Sequence, residues 1–224
     1  STAPSRVGKT SLKISRPLRE LPAGLGIWPS SHGVECLLAA PLSLSQGVTQ
    51  ARLANAEHES GQWLSPGRTW DEQRYSPLTQ ITPGNVGQLG LAWYADLDTN
   101  RGQESSPLVI DGRLYVTSAW SKVFAFDAAT GKALWRFDPQ VPPEWGARGC
   151  CDVVNRGLAA WGGNLYLGAY DGRLIAVDAG TGKQVWSVDT IDRAKPYSST
   201  GAPRIANGMV FIGNAGSELG VRGY

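Results

Sequence analysis

A chain of 224 residues with a formal charge of +2, 18% charged residues, 28 glycines and nine tryptophans can bury a core in one or two domains. The charge is uneven: residues 1–50 carry five Lys/Arg against two acids, and residues 51–224 carry sixteen against seventeen. The body therefore offers no basic stripe for nucleic acid, and no run of about 18 apolar residues spans a membrane.

The first fifty residues show no sustained alternation and no helical period. They read as a leader, disordered or signal-like, followed by a body from residue 51 to residue 224. Within the leader, Val34-Glu-Cys-Leu-Leu-Ala-Ala-Pro-Leu-Ser-Leu44 can be read as the apolar core of an export signal, with Thr49-Gln50-Ala51 as its cleavage site. A disordered or wrongly joined leader is the competing reading, and it is expected to supply no strand to the body.

The body repeats. Ala125-Phe-Asp-Ala-Ala-Thr-Gly-Lys-Ala-Leu-Trp135 matches Ala176-Val-Asp-Ala-Gly-Thr-Gly-Lys-Gln-Val-Trp186, and Leu114-Tyr-Val116 matches Leu165-Tyr-Leu167 at the same offset. A third copy starts at Val210-Phe-Ile212, and Leu91-Ala-Trp-Tyr-Ala-Asp-Leu97 resembles the last strand of such a unit. Each unit reads as four short strands. Residues 107–110 turn through Asp111-Gly112 into residues 114–117, and residues 123–127 turn through Thr130-Gly131 into residues 133–137. A four-stranded antiparallel unit cannot cover both of its faces alone, so copies must stack as propeller blades do. The repeated tryptophan then packs against the neighbouring blade.

The Ala-x-Asp-x-x-Thr-Gly-x-x-x-Trp repeat resembles the tryptophan docking motif of the quinoprotein alcohol dehydrogenases, which bind pyrroloquinoline quinone (PQQ). Gln62-Trp-Leu64, Asp98-Thr-Asn-Arg-Gly-Gln-Glu104, Thr117-Ser-Ala-Trp-Ser-Lys122 and Gly220-Val-Arg-Gly-Tyr224 extend the likeness, which runs from about Asn55 to Tyr224. The resemblance implies an all-β fold, part of an eight-bladed β-propeller with about two complete blades and pieces of two more, from the N-terminal part of an ethanol- or methanol-dehydrogenase-type enzyme.

It also implies roles. Cys150 and Cys151 in Ala147-Arg-Gly-Cys-Cys-Asp-Val-Val-Asn-Arg-Gly157 would form a disulfide packed on the PQQ rings, and a persistent disulfide would place the protein in the periplasm. Two free thiols are the alternative, and Cys36 is left without a role. Arg156 would pair with PQQ oxygens, Thr200 would offer a hydroxyl, and Glu104 would contact the cofactor. Beside an anionic ligand Glu104 implies either a protonated carboxyl or a shared cation. In Gly213-Asn-Ala-Gly-Ser-Glu-Leu-Gly220, Glu218 would ligate Ca²⁺ or a lanthanide, with Ala215, Gly216 and Ser217 approaching PQQ. The family has Gly-Gly-Ala before the Glu. If the first of these needs positive φ, Ala215 costs about 1 kcal/mol or more. Ser217 could add a hydrogen bond to the cofactor.

The implied activity is oxidation of a small primary alcohol, with electrons passed to a cytochrome c. Any haem c would sit in a domain outside this chain, and no catalytic residue is assigned within it. These residues alone are expected to be inactive and prone to aggregate. Two alternatives stand beside this reading: a non-catalytic scaffold of the outer-membrane assembly type, and a membrane-bound sugar dehydrogenase. Neither would call for the paired cysteines.

Overall fold

The computed structural model describes residues 11–17 and 47–223. The signal-like stretch 34–44 and Cys36 lie outside the described residues. Strand β1 (Ser11–Pro17) pairs antiparallel with β2 (Leu89–Asp96). This corrects the expectation that the leader supplies no strand. Contacts with the body also reach residues just before 51. Thr49 caps the short helix α1 (Gln50–Ala54) by accepting from the Arg52 amide, and buried Val48 accepts a hydrogen bond from the Gly162 amide. Arg52 ties this segment down. Its guanidinium donates to the Gly47 carbonyl, Glu59 and Asp111. The two carboxylates hold it above the ordinary arginine range.

Two four-stranded antiparallel sheets follow in strict chain order. The first is β3 (Leu108–Ile110), β4 (Arg113–Thr117), β5 (Val123–Asp127) and β6 (Ala133–Phe137). The second is β7 (Ala159–Trp161), β8 (Asn164–Gly168), β9 (Arg173–Asp178) and β10 (Gln184–Asp189). A third begins with β11 (Arg204–Ala206) and β12 (Met209–Phe211). Each first hairpin closes through two left-handed residues: Asp111-Gly112, Gly162-Gly163 and Asn207-Gly208. Such turns match the twist of the strands they join.

Both faces of the first sheet are covered. Leu114, Val116, Phe124 and Phe126 pack with Trp93 of β2 in one cluster. Tyr115, Val123 and Ala125 point the other way, into a cluster with Leu165, Leu167, Ile175 and Val177 of the second sheet. Period-2 alternation thus sends one strand's side chains into two cores.

The seams explain the repeat. The indole of Trp93 donates to the Ala128 carbonyl, and that of Trp135 to the Ala179 carbonyl, each at 3.1 Å. Each ring lies over the Thr-Gly turn of the next sheet, so closely that a Cβ on Gly131 or Gly182 would fall 2.5–2.6 Å from ring atoms. The register between third and fourth strands skips one residue just before the tryptophan. Ala125 faces Trp135 and Phe126 faces Ala133, while Ala176 faces Trp186 and Val177 faces Gln184. The bulge turns the tryptophan toward the seam. Every residue of β10 is exposed, Trp186 among them.

Asp127 and Asp178 lock the docking turns. Each accepts from the hydroxyl and the amide of the threonine three residues on, Thr130 or Thr181. The threonine hydroxyl, then the backbone amides, hold both carboxyls below the ordinary carboxylate value. A depressed folded pKa stabilises above the unfolded value near 4 and is lost as pH falls through the folded one. Stability is therefore expected to drop as pH falls below about 4. The double variant Thr130→Val, Thr181→Val should flatten the drop when unfolding midpoints are compared across that range. An identical curve for the variant would remove these turns as the cause.

Candidate cofactor site

The inner strands run parallel to one another at their leading ends. Ser106 bridges Gly157 in parallel, the Ser106 amide donates to the Arg156 carbonyl, and the Arg156 amide donates to the Thr200 carbonyl. Three residues singled out in the sequence therefore meet. The Arg156 guanidinium donates to Glu104 at 2.9 Å and to the Thr200 hydroxyl at 2.5 Å, with both charged side chains about half exposed. Glu104 thus has a cationic neighbour in Arg156. A guanidinium has five donors, so two such bonds leave capacity for an incoming carboxylate.

Residues 214–221 are joined to this end by a two-way backbone bridge between Ser198 and Ala215. Ala215 is not among the positive-φ residues, so it carries no left-handed penalty. Gly216 carries it instead, at φ +134°, where a Cβ would meet Val221 Cγ2 at 2.6 Å and the Pro196 carbonyl at 2.7 Å. The tight turn sets the short helical stretch Ser217–Leu219 and leaves Glu218 exposed. The Ser217 hydroxyl reaches Glu218 at 3.5 Å, the outer limit for such a bond. Among the described residues no three His, Cys, Asp or Glu side chains gather as a metal site.

Cys150 and Cys151 are adjacent and exposed, with Cα atoms 3.8 Å apart and sulfurs in bonding position. The segment that follows is pinned from below: Val153, Val154 and Asn155 are buried. Asn155 had no role in the sequence reading, yet it organises the site. Its amide donates to the Gly168 carbonyl at 2.9 Å and to the Ser121 hydroxyl at 3.3 Å. Its side-chain carbonyl accepts from the Gly157 amide at 3.1 Å. Ser121 also accepts from the Tyr170 amide at 2.9 Å, and the Tyr170 carbonyl accepts from the Ser199 amide. One buried post thus fixes the loops on either side of Arg156. The one clue in the sequence is a polar residue directly before the arginine.

The donor set suits a planar polyanion. Arg156 and Thr200 face outward beside Glu104, the adjoining cysteines present an open surface, and the buried Ser198 hydroxyl has no partner among the described residues. Tyr170 is fully buried with its hydroxyl against Gly149, and burial, with the charges of Asp152 and Glu218, pushes its titration up. No described helix is long and apolar enough to cross a membrane.

The chain is 48% identical over 211 residues to the "1-butanol dehydrogenase (cytochrome c)" of Thauera butanivorans, covering 94% of this chain and 28% of that protein. The structure of quinohemoprotein alcohol dehydrogenase ADHIIG from Pseudomonas putida HK5 superposes with a TM-score of 0.77 at 54% identity, over 79% of this chain and 26% of that one. A europium-containing methanol dehydrogenase gives 0.74 at 39%, over 77% and 31%. The chain thus spans roughly a quarter to a third of these relatives. Residues 63–214 match the β-propeller domain described as PQQ, glucose/ethanol/alcohol dehydrogenase, and the chain belongs to that PQQ propeller family.

Proposed function

We propose that this chain forms one wall of the site of a periplasmic PQQ-dependent alcohol dehydrogenase that oxidises primary alcohols to aldehydes and passes electrons to a cytochrome. The observation that carries the reading is the outward-facing trio of Glu104, Arg156 and Thr200, built by the parallel contacts of three inner strands. In this reading Arg156 grips a PQQ carboxylate with its remaining donors, and Glu104 balances its charge and holds its plane. Thr200 orients the fork, and the segment Ala215, Gly216 and Ser217 lies beside the cofactor. Bound there, PQQ would supply an ortho-quinone as hydride acceptor for the alcohol carbon. The rim excludes water and fixes orientation, which is the larger part of what a protein adds to such chemistry.

Glu218 contributes one hard oxygen ligand to Ca²⁺ or a lanthanide, and the other ligands come from other parts of the longer polypeptide that such an enzyme requires. Any haem c would belong to that polypeptide as well. The test is reconstitution of that polypeptide with PQQ and Ca²⁺ against a panel of alcohols. Glu218→Ala is expected to lower Ca²⁺ affinity at least tenfold while the unfolding midpoint stays put, because carboxylate count sets affinity in such sites. Wild-type turnover of the variant at limiting Ca²⁺ would remove Glu218 from the ligand set.

Cys150 and Cys151 are proposed to be disulfide-bonded. A bond between neighbours restrains almost no chain entropy, so its value lies in a stiff, polarizable surface under a planar ligand. The peptide holding both should gain about 2 Da on reduction, the two hydrogens of a dithiol. Alkylation of both without reductant would contradict the bond.

A further inference from the structure

The pairing of β1 with β2 follows a rule that the complete sheets define. In both, the third strand places one residue opposite the docking tryptophan. Its next residue then faces the position two before that tryptophan. In the first pair, Ile14 faces Trp93 and Ser15 faces Leu91, so Ala92 is skipped as Leu134 and Val185 are. Direction, register and bulge all agree. A slip of one residue would have sent every side chain of the strand to the opposite face, so a strand docked merely for its backbone hydrogen bonds had no reason to match all three.

We propose that Ser11–Pro17 is a stand-in third strand, seated on the β2 edge that the propeller's own third strand would use. Among the described residues β2 has no other strand partner. Trp93 nevertheless docks on Ala128 as Trp135 docks on Ala179, so β2 is already in place as a fourth strand and wants only its neighbour. An open strand edge recruits other chains, and β1 closes it from within. Two strands cannot hold one edge. The stand-in must leave before the propeller's third strand can enter, which makes β1 a gate on ring closure.

Cysteine cross-linking in the full chain, with Cys36→Ser, tests the register. Directly opposed residues have Cβ atoms about 4.5–5.5 Å apart, so Lys13→Cys with Tyr94→Cys should join under mild oxidation. The same Lys13→Cys paired with Ala95→Cys, one residue out of register, should join at least tenfold less. Equal yields, or no cross-link in either, would overturn the proposal. In a second arm, Ile14→Pro should speed amide exchange across Leu89–Asp96 at least tenfold and leave Leu108–Ile110 through Ala133–Phe137 protected. Unchanged exchange in β2 would count against it. If protection is lost everywhere, the cross-link, which needs no proline, decides.

Discussion

Gly182→Ala is expected to destabilise the chain by about 2–4 kcal/mol, against about 1 kcal/mol for Gly208→Ala. The two glycines share a φ of +73°, so the left-handed penalty is the same for both. They differ in what a methyl would meet. At Gly208 nothing lies within 4 Å. At Gly182 three atoms of the Trp135 indole lie at 2.6–3.0 Å. The ring cannot lift away cheaply, because its N–H is bonded to the Ala179 carbonyl and its other side meets Tyr115 at a centroid distance of 5.8 Å. Overpacking a fixed ring adds roughly 1–3 kcal/mol to the backbone term. Denaturant midpoints of the two variants, measured at low protein concentration, give the difference directly. Equal shifts would mean that the seam yields and that Trp135 is not held as described.

Asn155→Leu is expected to cost about 3–5 kcal/mol and to weaken PQQ binding although it touches no ligand in the proposed site. Leucine fills a similar volume but can serve none of the three hydrogen bonds, so the Gly168 carbonyl and the Gly157 amide would be stranded in a dry interior. Each buried group left unpaired costs about 1–3 kcal/mol. Arg156 follows Asn155 in the chain, so its fork would lose the loop that aims it at Thr200 and Glu104. Thermal unfolding and PQQ titration of the longer polypeptide would measure both effects. A loss below about 1 kcal/mol, with unchanged affinity, would show that the loop is held by Val153 and Val154 instead.

Much of the fold was legible because the repeat carries its own punctuation. The strand expected at residues 133–137 is β6, the one at 123–127 is β5, and the Asp111-Gly112 turn closes the hairpin between β3 and β4. Thr-Gly before Trp marked the seam, since each unit carries both a turn without a Cβ and, four positions later, a ring to lay on the next unit's turn. The rest depended on contacts distant in sequence. Trp120 and Ser121 both have positive φ, yet the local stretch Ser118-Ala-Trp-Ser121 contains no glycine to announce it. The Trp120 amide is held by the Val153 carbonyl, and Ser121 by Tyr170 and Asn155. The β1 strand was missed because its alternation covers few residues and ends at Pro17. At the site, Arg156, Thr200 and Glu104 were placed by resemblance. That they meet, and that Asn155 fixes them, came from the parallel contacts between inner strands, for which a sequence has no local signal.

The two kinds of loop in this chain carry unequal freedom to change length. The turn from β5 to β6 is bound on both sides: Asp127 clasps Thr130 within it, and the Trp93 indole rests on Gly131 from the neighbouring sheet. An added residue there would break a contact that belongs to another blade. The connections from β6 to β7 and from β10 to β11 are longer, and these are the ones that carry Cys150, Cys151, Arg156 and Thr200. Insertions and deletions are therefore channelled toward the rim of the site, where a longer or shorter loop reshapes the pocket and leaves the seams intact. Loop length at the rim can thus change while the blades keep theirs.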